Sequence, residues 1–153
     1  TSTEAAYAAF TAQDDVYYSF NFRAEVGSGT LPLQLKNGGT AMAWFQLVGT
    51  GPYDMRIYAN GAGGGYSTIS GVTYTPDTQI FVWGAWTNDN GTNSNHKVWW
   101  NTTNSYPGDG SFVGQRNSTI TATQVNRAYV APGQTTPNYT RIADVKISAT
   151  KFF

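Results

Sequence analysis

The sequence predicts an all-β sandwich of two antiparallel sheets. Apolar and polar residues alternate with a period of two along most of the chain, and Gly, Asn, Pro and Asp separate the alternating segments. After the first dozen residues, no segment has the spacing of an amphipathic helix. Strands that lack crossover helices pair antiparallel and stack face to face, so we expect one β-sandwich domain over residues 1–153.

The clearest strand is predicted for residues 16–25. Val16, Tyr18, Phe20 and Phe22 alternate there with polar side chains and share one face, which we expect to be buried. The same alternation predicts further strands at 31–35, 41–48, 55–59, 80–87, 97–101, 112–115, 125–130 and 141–148.

Two segments carry more specific expectations. Residues 3–10 are expected to form one or two helical turns, with Thr3 as the N-cap. In the last strand, Ala143, Val145 and Ile147 are expected to point into the core, together with Val82 and Val98 of the central hairpin.

The composition limits the classes of function. Nine basic residues balance nine acidic ones, so no net charge attracts nucleic acid. Cysteine is absent, which excludes disulfides and thiolate chemistry. The apolar runs are too short to span a membrane. Only 12% of the residues are charged, and a neutral surface rich in Thr, Asn and Ser favours a secreted, extracellular protein. A secreted protein without cysteine favours a bacterial source.

Segments 77–88 and 96–101 resemble the central hairpin of concanavalin A-like (laminin G-like) domains. The first reads Asp-Thr-Gln-Ile-Phe-Val-Trp-Gly-Ala-Trp-Thr-Asn, and the second reads His-Lys-Val-Trp-Trp-Asn. Segments 14–20 and 142–148 resemble the first and last strands of that fold. Together these segments cover about a third of the chain.

This resemblance implies a jelly-roll fold of the kind found in bacterial carbohydrate-binding modules and polysaccharide lyases. The sequence departs from the pattern at Gln79, where a Trp is common, and at Gly84 and Ala85, which are smaller than usual. Because such domains also include lectins, glycoside hydrolases and structural spacers, the fold does not determine the function.

Hydrolysis is disfavoured by the positions of the acidic residues. The hydrolases of this fold carry two carboxylates at alternate positions of one strand. None of the nine acidic residues forms such a pair, and Asp14 and Asp15 are adjacent, so they would point to opposite faces of a strand.

A lyase is the enzymatic alternative that the resemblance leaves open. The jelly-roll alginate lyases neutralise a uronate with Arg and Gln and use His and Tyr at the proton that is removed. Their Arg-x-Glu-x-Arg and Gln-Ile-His strands are absent from this chain. The single histidine, His96, shares the predicted core face with Val98 and Trp100, which indicates a neutral, hydrogen-bonded side chain.

Glycan binding is the function that the outward aromatic residues favour. Sugars stack their apolar faces on Trp and Tyr, while amide and guanidinium groups bind the hydroxyls. We expect Trp83 and Trp99 to lie side by side as a platform. The predicted ligand-binding residues are Trp83, Trp99, Trp44, Tyr58, Arg56, Phe81, Asn21 and Arg23. The alternative is that loops such as 106–110 or 131–137 cover these aromatic residues and make them a second small core.

No cofactor is required, but calcium is an open alternative. The Asn/Asp-rich segment 88–95 has the composition of a calcium loop without its spaced carboxylates, so a turn is favoured. The resemblance implies a structural calcium ion near the ends of the first and last strands, where Asp15 and Asp144 would be its ligands.

The leading hypothesis is a non-catalytic, extracellular polysaccharide-binding domain, either a lectin or a carbohydrate-binding module. Its partner would be a glycan, with no nucleic acid and no membrane insertion. The alternatives are a polysaccharide lyase of the same fold and a structural or adhesive surface subunit that self-assembles. The oligomeric state is not predicted.

Overall fold

A computed structural model describes residues 6–24, 32–49, 53–59, 66–87, 94–111, 114–117, 124–130 and 140–153. These residues form two antiparallel sheets that pack face to face, which confirms the predicted all-β sandwich. Within these ranges, no helix has the length and apolar character needed to cross a bilayer. The strands are β1 (Ala6–Gln13), β2 (Val16–Ala24), β3 (Leu33–Asn37), β4 (Thr40–Val48), β5 (Tyr53–Ala59), β6 (Tyr66–Tyr74), β7 (Ile80–Thr87), β8 (Asn95–Asn101), β9 (Gly114–Asn117), β10 (Val125–Val130) and β11 (Thr140–Ser148).

The strand order creates two outward faces on opposite sides of the sandwich. One sheet has six strands in the order β1-β10-β3-β4-β5-β6, and the other has five in the order β11-β2-β7-β8-β9. Strands β7 and β8 therefore belong to one sheet, while β4 and β5 belong to the other. A 3₁₀ turn, Asp109–Ser111, lies between β8 and β9.

The core forms from the inward residues of both sheets, as the alternation predicted. Val16, Tyr18, Phe20 and Phe22 are at most 2% exposed, and Val82 and Val98 are fully buried. The rings of Phe20 and Phe22 each make an edge contact with Phe45 of the facing sheet, at centroid distances of 6.3 and 6.4 Å. Such edge-to-face contacts stabilise the association of the two sheets.

The helical expectation for residues 3–10 is wrong over the part that the structure describes. Residues from Ala6 onward form strand β1, which pairs with β10 through Ala8 opposite Ala128 and Ala9 opposite Arg127. An isolated helix of eight residues is marginal in water, so backbone pairing with a sheet edge overrides the local helical propensity.

Strand β6 was not predicted. Its sequence, Tyr-Ser-Thr-Ile-Ser-Gly-Val-Thr-Tyr, lacks a period of two. Its register with β5 shifts between the pairings of Asp54 and Arg56, and such an irregularity disturbs the alternation from which strands are recognised.

The inward orientation predicted for Ala143 and Val145 is also wrong. A bulge in β11 places two residues opposite one residue of β2, because the register moves from Ala143 opposite Asn21 to Lys146 opposite Ser19. The extra residue reverses the facing of the strand. Val145 is consequently 37% exposed, whereas Ile142 and the predicted Ile147 are half-buried against the core.

His96 is a buried polar residue that joins the two sheets. Its Nδ1 lies 2.9 Å from the carbonyl oxygen of Tyr58 in β5, and its Nε2 lies 2.7 Å from the hydroxyl of Tyr18 in β2. A carbonyl can only accept, so Nδ1 carries the proton and the Tyr18 hydroxyl donates to Nε2. Burial lowers the pKa of His96 to about 4, so the side chain is neutral, as the sequence predicted.

Gly84 provides the space that this link requires. It lies directly opposite Tyr18 in the pairing of β2 with β7, and the tyrosine ring passes over it. A Cβ atom at position 84 would overlap that ring. The small residue that departs from the family pattern is therefore explained by packing.

We expect Gly84→Ala to lower the free energy of unfolding by roughly 1–3 kcal/mol. The added methyl group overpacks the core, displaces Tyr18 and breaks its hydrogen bond to His96. Urea denaturation measures the effect. Gly39→Ala is the matched control, since no atom lies within 4 Å of the added methyl group. Equal stability of the two variants would contradict the packing argument.

The stability of the fold should fall as the pH is lowered from 6.5 towards 4. The pKa of His96 is depressed from its ordinary 6.5 to about 4, so the unfolded chain binds the proton more tightly in this window. The contribution of neutral His96 to the free energy of unfolding is fully present above pH 6.5. About 3 kcal/mol is lost as the pH falls to about 4.

Unfolding free energies at pH 7 and pH 5 test this directly, because the chain has one histidine. His96→Gln keeps a donor and an acceptor but does not titrate, so it should flatten the dependence between pH 5 and 6.5. An unchanged slope in this variant would assign the dependence to other groups.

Candidate functional site

The predicted ligand-binding residues do not form one platform, because they lie on opposite faces of the sandwich. The alternation identified outward positions correctly, but it did not show which strands share a sheet. The five-stranded sheet carries Phe81, Trp83, Trp99, Asn21 and Arg23, and the six-stranded sheet carries Trp44, Tyr58 and Arg56.

Trp83 and Trp99 are neighbours, as expected, but they are buried. They lie opposite one another in β7 and β8 and are 6% and 4% exposed. The ring of Tyr106 covers both, at centroid distances of 5.8 and 5.6 Å, and Phe153 packs on Trp99 at 5.9 Å. The structure thus shows the alternative arrangement, a second small core beneath the loop at 106–110 and the C-terminal residue.

Charged contacts hold this cover in place. The Tyr106 hydroxyl donates to the carboxylate of Asp109 at 2.5 Å, and Lys151 pairs with the same carboxylate. The hydrogen bonds from Lys151 and Tyr106 lower the pKa of Asp109, while burial raises the pKa of Tyr106 above its ordinary value. Lys151 and Phe153 therefore contact the loop at 106–110 beside Trp99.

Trp44 and Tyr58 form a stacked aromatic pair on the six-stranded sheet. Their rings are stacked, with centroids 4.6 Å apart and planes 11° apart, and both side chains are only partly buried. Gln34 lies beside Trp44 in β3, and Gln46 and Arg56 form the adjacent cross-strand pair. Aromatic and amide side chains are therefore neighbours on this surface.

The same surface continues on β10. Tyr129 lies opposite Gln34 and Arg127 lies opposite Lys36. The ammonium of Lys36 sits 4.2 Å from the centroid of the Tyr129 ring, a cation–π contact. We call this surface the cationic aromatic face, defined by Gln34, Lys36, Trp44, Gln46, Arg56, Tyr58, Arg127 and Tyr129.

The cationic aromatic face has an excess of positive charge. Lys36, Arg56 and Arg127 contribute three cations, and Asp54 is the one carboxylate among the described outward residues of β3, β4, β5 and β10. Asp54 lies 3.5 Å from Arg56 at the surface, a contact that contributes little stability in water.

Sequence reasoning missed Gln34, Lys36, Arg127 and Tyr129 as members of this face. The alternation carries a signal for the first two, since they flank Leu35, which is fully buried. The signal does not reveal that β10 inserts between β1 and β3, and this insertion brings Tyr129 and Arg127 alongside.

Arg23 has a structural contact away from both aromatic clusters. Its Nε donates to Asp77 at 2.7 Å, and this hydrogen bond lowers the pKa of Asp77. Asp77 has a φ of 65°, and its backbone N–H donates to the carbonyl of Ala24 at 2.7 Å. Arg23 therefore contributes to holding the turn before β7 against the end of β2.

The structure does not bring Asp15 and Asp144 together. Asp144 bonds to Asn21, which is six residues from Asp15 along an extended chain, a span of roughly 20 Å. The two carboxylates are too far apart to share one calcium ion. In the part of the chain that the structure describes, no three His, Asp or Glu side chains gather as metal ligands. Most of the predicted loop at 88–95 lies outside the described residues.

No protein-family profile matches the chain, and no curated protein sequence is similar to it. Solved structures are similar in fold. The endo-β-1,4-glucuronan lyase of the fungus Trichoderma reesei is 12% identical, with a TM-score of 0.58, over 98% of this chain and 76% of that one. Alginate lyase Aly36B, in complex with alginate trisaccharide, is 10% identical, with a TM-score of 0.66, over 96% and 75% of the two chains.

A third similar structure is CG-16, a homodimeric agglutinin from chicken liver. It is 8% identical with a TM-score of 0.55, and the match covers 95% of this chain and all of the agglutinin. At these identities the similarity concerns the fold alone. The two antiparallel sheets and these neighbours together show that the chain has the concanavalin A-like jelly-roll fold.

Proposed function

We propose that this protein is a non-catalytic, extracellular domain that binds an acidic polysaccharide through its cationic aromatic face. The observation that carries the proposal is the stacked Trp44–Tyr58 pair beside Arg56, on the outward surface of the six-stranded sheet. Apolar stacking and a cation are thus available at the same place.

The residue types of the face suit a sugar chain. Aromatic rings contact the C–H groups of pyranose rings, and the amides of Gln34 and Gln46 both donate to and accept from hydroxyls. The row from Tyr129 through Gln34 and Trp44 to Tyr58 crosses four neighbouring strands. At about 4.8 Å per strand the row extends roughly 14 Å, the length of a few sugar units.

The charge of the face favours a polymer that carries carboxylates. Three cations against one carboxylate make a uronate polymer a better partner than a neutral one. Two of the structurally similar proteins are named for alginate and glucuronan, which are uronate polymers, and a third is an agglutinin. These names support an interaction with polysaccharide without distinguishing binding from cleavage.

The position of His96 supports binding rather than catalysis. The imidazole is fully buried and is hydrogen-bonded on both nitrogens, so it does not reach a polymer on either outward face. Among the described outward residues of β3, β4, β5 and β10, Asp54 alone carries a carboxylate, whereas hydrolysis requires two.

Trp44→Ala should weaken binding of alginate and of polyglucuronate by roughly 1–3 kcal/mol, the range found for truncation of a stacking aromatic residue. Calorimetry or affinity electrophoresis measures the change. Binding should also weaken as the salt concentration rises, because salt screens the attraction between the cations of the face and the carboxylates of the polymer.

Trp99→Ala is the matched control. It removes a buried tryptophan of the second core, so we expect a loss of stability of about 3 kcal/mol with little change in the affinity of the molecules that remain folded. The proposal is wrong if Trp44→Ala binds as tightly as the parent protein.

The two alternatives give different results in the same experiments. If the protein released unsaturated uronate products, and release disappeared in Tyr58→Phe, a lyase would replace the binding domain. If the protein formed large assemblies without polysaccharide, and Trp44→Ala dissolved them, the face would instead be the contact of a structural subunit.

A further inference from the structure

A pocket of about 230 Å³ opens on the five-stranded sheet, on the opposite side of the sandwich from the cationic aromatic face. It is lined by residues of β2, β7 and the bulge of β11. Its volume is below the roughly 300–1,000 Å³ of pockets that hold drug-sized ligands, so it suits a single small unit.

The pocket exists because of the bulge in β11. Asp144 and Val145 together lie opposite one residue of β2, and Asp144 adopts a φ of 54°. A positive φ is uncommon for a residue other than glycine, and a bulge re-aims the side chains around it. The residue with this uncommon backbone conformation, Asp144, is also the one whose carboxylate lines the pocket.

Polar groups in the pocket are arranged as a hydrogen-bonding set. The Nδ2 of Asn21 donates to Oδ2 of Asp144 at 2.5 Å, which orients the carboxylate. No donor among the described residues bonds to the second oxygen, Oδ1. The side chains of Lys146, Asn104 and Ser19 also line the pocket. Carboxylate, amide and ammonium groups can together bind adjacent hydroxyls.

An apolar wall faces these polar groups. Phe81 is partly buried, and Trp83, which is 6% exposed, also lines the pocket. Val145 is 37% exposed and extends the wall from the bulge. An apolar wall opposite hydroxyl-binding groups is complementary to a pyranose ring, which has a C–H face and hydroxyls at its edge.

We propose that this pocket is a second carbohydrate site, which takes one neutral sugar unit such as a chain end or a side branch. The charges of Asp144 and Lys146 balance, so the pocket does not favour an anionic sugar as the cationic aromatic face does. Three residues predicted for glycan binding, Asn21, Phe81 and Trp83, come together here. The inference does not depend on polymer binding by the other sheet.

The test is a titration of the isotope-labelled whole chain with glucose, mannose, galactose, xylose and glucuronate, followed by NMR. We expect at least one neutral sugar to bind with a Kd in the roughly millimolar range of a single small ring, with amide shifts centred on residues 19–21, 81–83 and 144–146. Shifts elsewhere only, no shifts with any neutral sugar, or tighter binding of glucuronate than of every neutral sugar at residues 19–21, 81–83 and 144–146 would each overturn the proposal.

Asp144→Gly removes the carboxylate and also relieves the positive φ, so this variant should fold at least as stably as the parent. We expect it to weaken neutral sugar binding at least tenfold and to leave the affinity for alginate unchanged. Asp14→Gly, which removes an exposed carboxylate outside the pocket, is the matched control. Unchanged sugar affinity in Asp144→Gly would contradict the site. If the parent protein binds a neutral sugar at the pocket but does not bind alginate, only the proposed function is contradicted.

Discussion

A chain of hydrogen bonds joins the two sheets, from the hydroxyl of Tyr18 through the buried imidazole of His96 to the carbonyl of Tyr58. Each of these groups would be costly to bury without a partner, so the three must be positioned together. Gly84 is required beneath the ring of Tyr18 for the same reason. Because Tyr58 carries its side chain on the opposite surface, the link also fixes the backbone of the cationic aromatic face.

The aromatic residues on the two outward faces differ in how far they are shielded from water. A row of exposed aromatic residues is unfavourable in water unless it is covered or has a partner. On the five-stranded sheet, Tyr106 and Phe153 cover Trp83 and Trp99. On the six-stranded sheet, cations and amides surround the aromatic residues, and the side chains stay partly exposed. This difference in surface chemistry, rather than the shared jelly-roll fold, is the basis for assigning polymer binding to one face.

The pocket at the β11 bulge shows how a local irregularity can open a site in an otherwise covered sheet. One extra residue reverses the facing of β11 and exposes Val145, and Asp144 is placed beside Asn21. Neither change requires a new secondary-structure element. A regular β11 would continue the inward and outward alternation and would leave no strained carboxylate at this position.

The sequence by itself determined the positions and facing of most strands. The period-two pattern identified 16–25, 80–87 and 125–130 closely, and it placed His96 in the core, because alternation directly reports which side of a strand is buried. Tertiary structure decided which strands are neighbours, and this separated Trp44 from Trp83. It also decided the strand formed by Ala6–Gln13, the bulge at Asp144 and the cover provided by Phe153. These features depend on pairing and packing between residues far apart in the chain, about which local alternation carries no information.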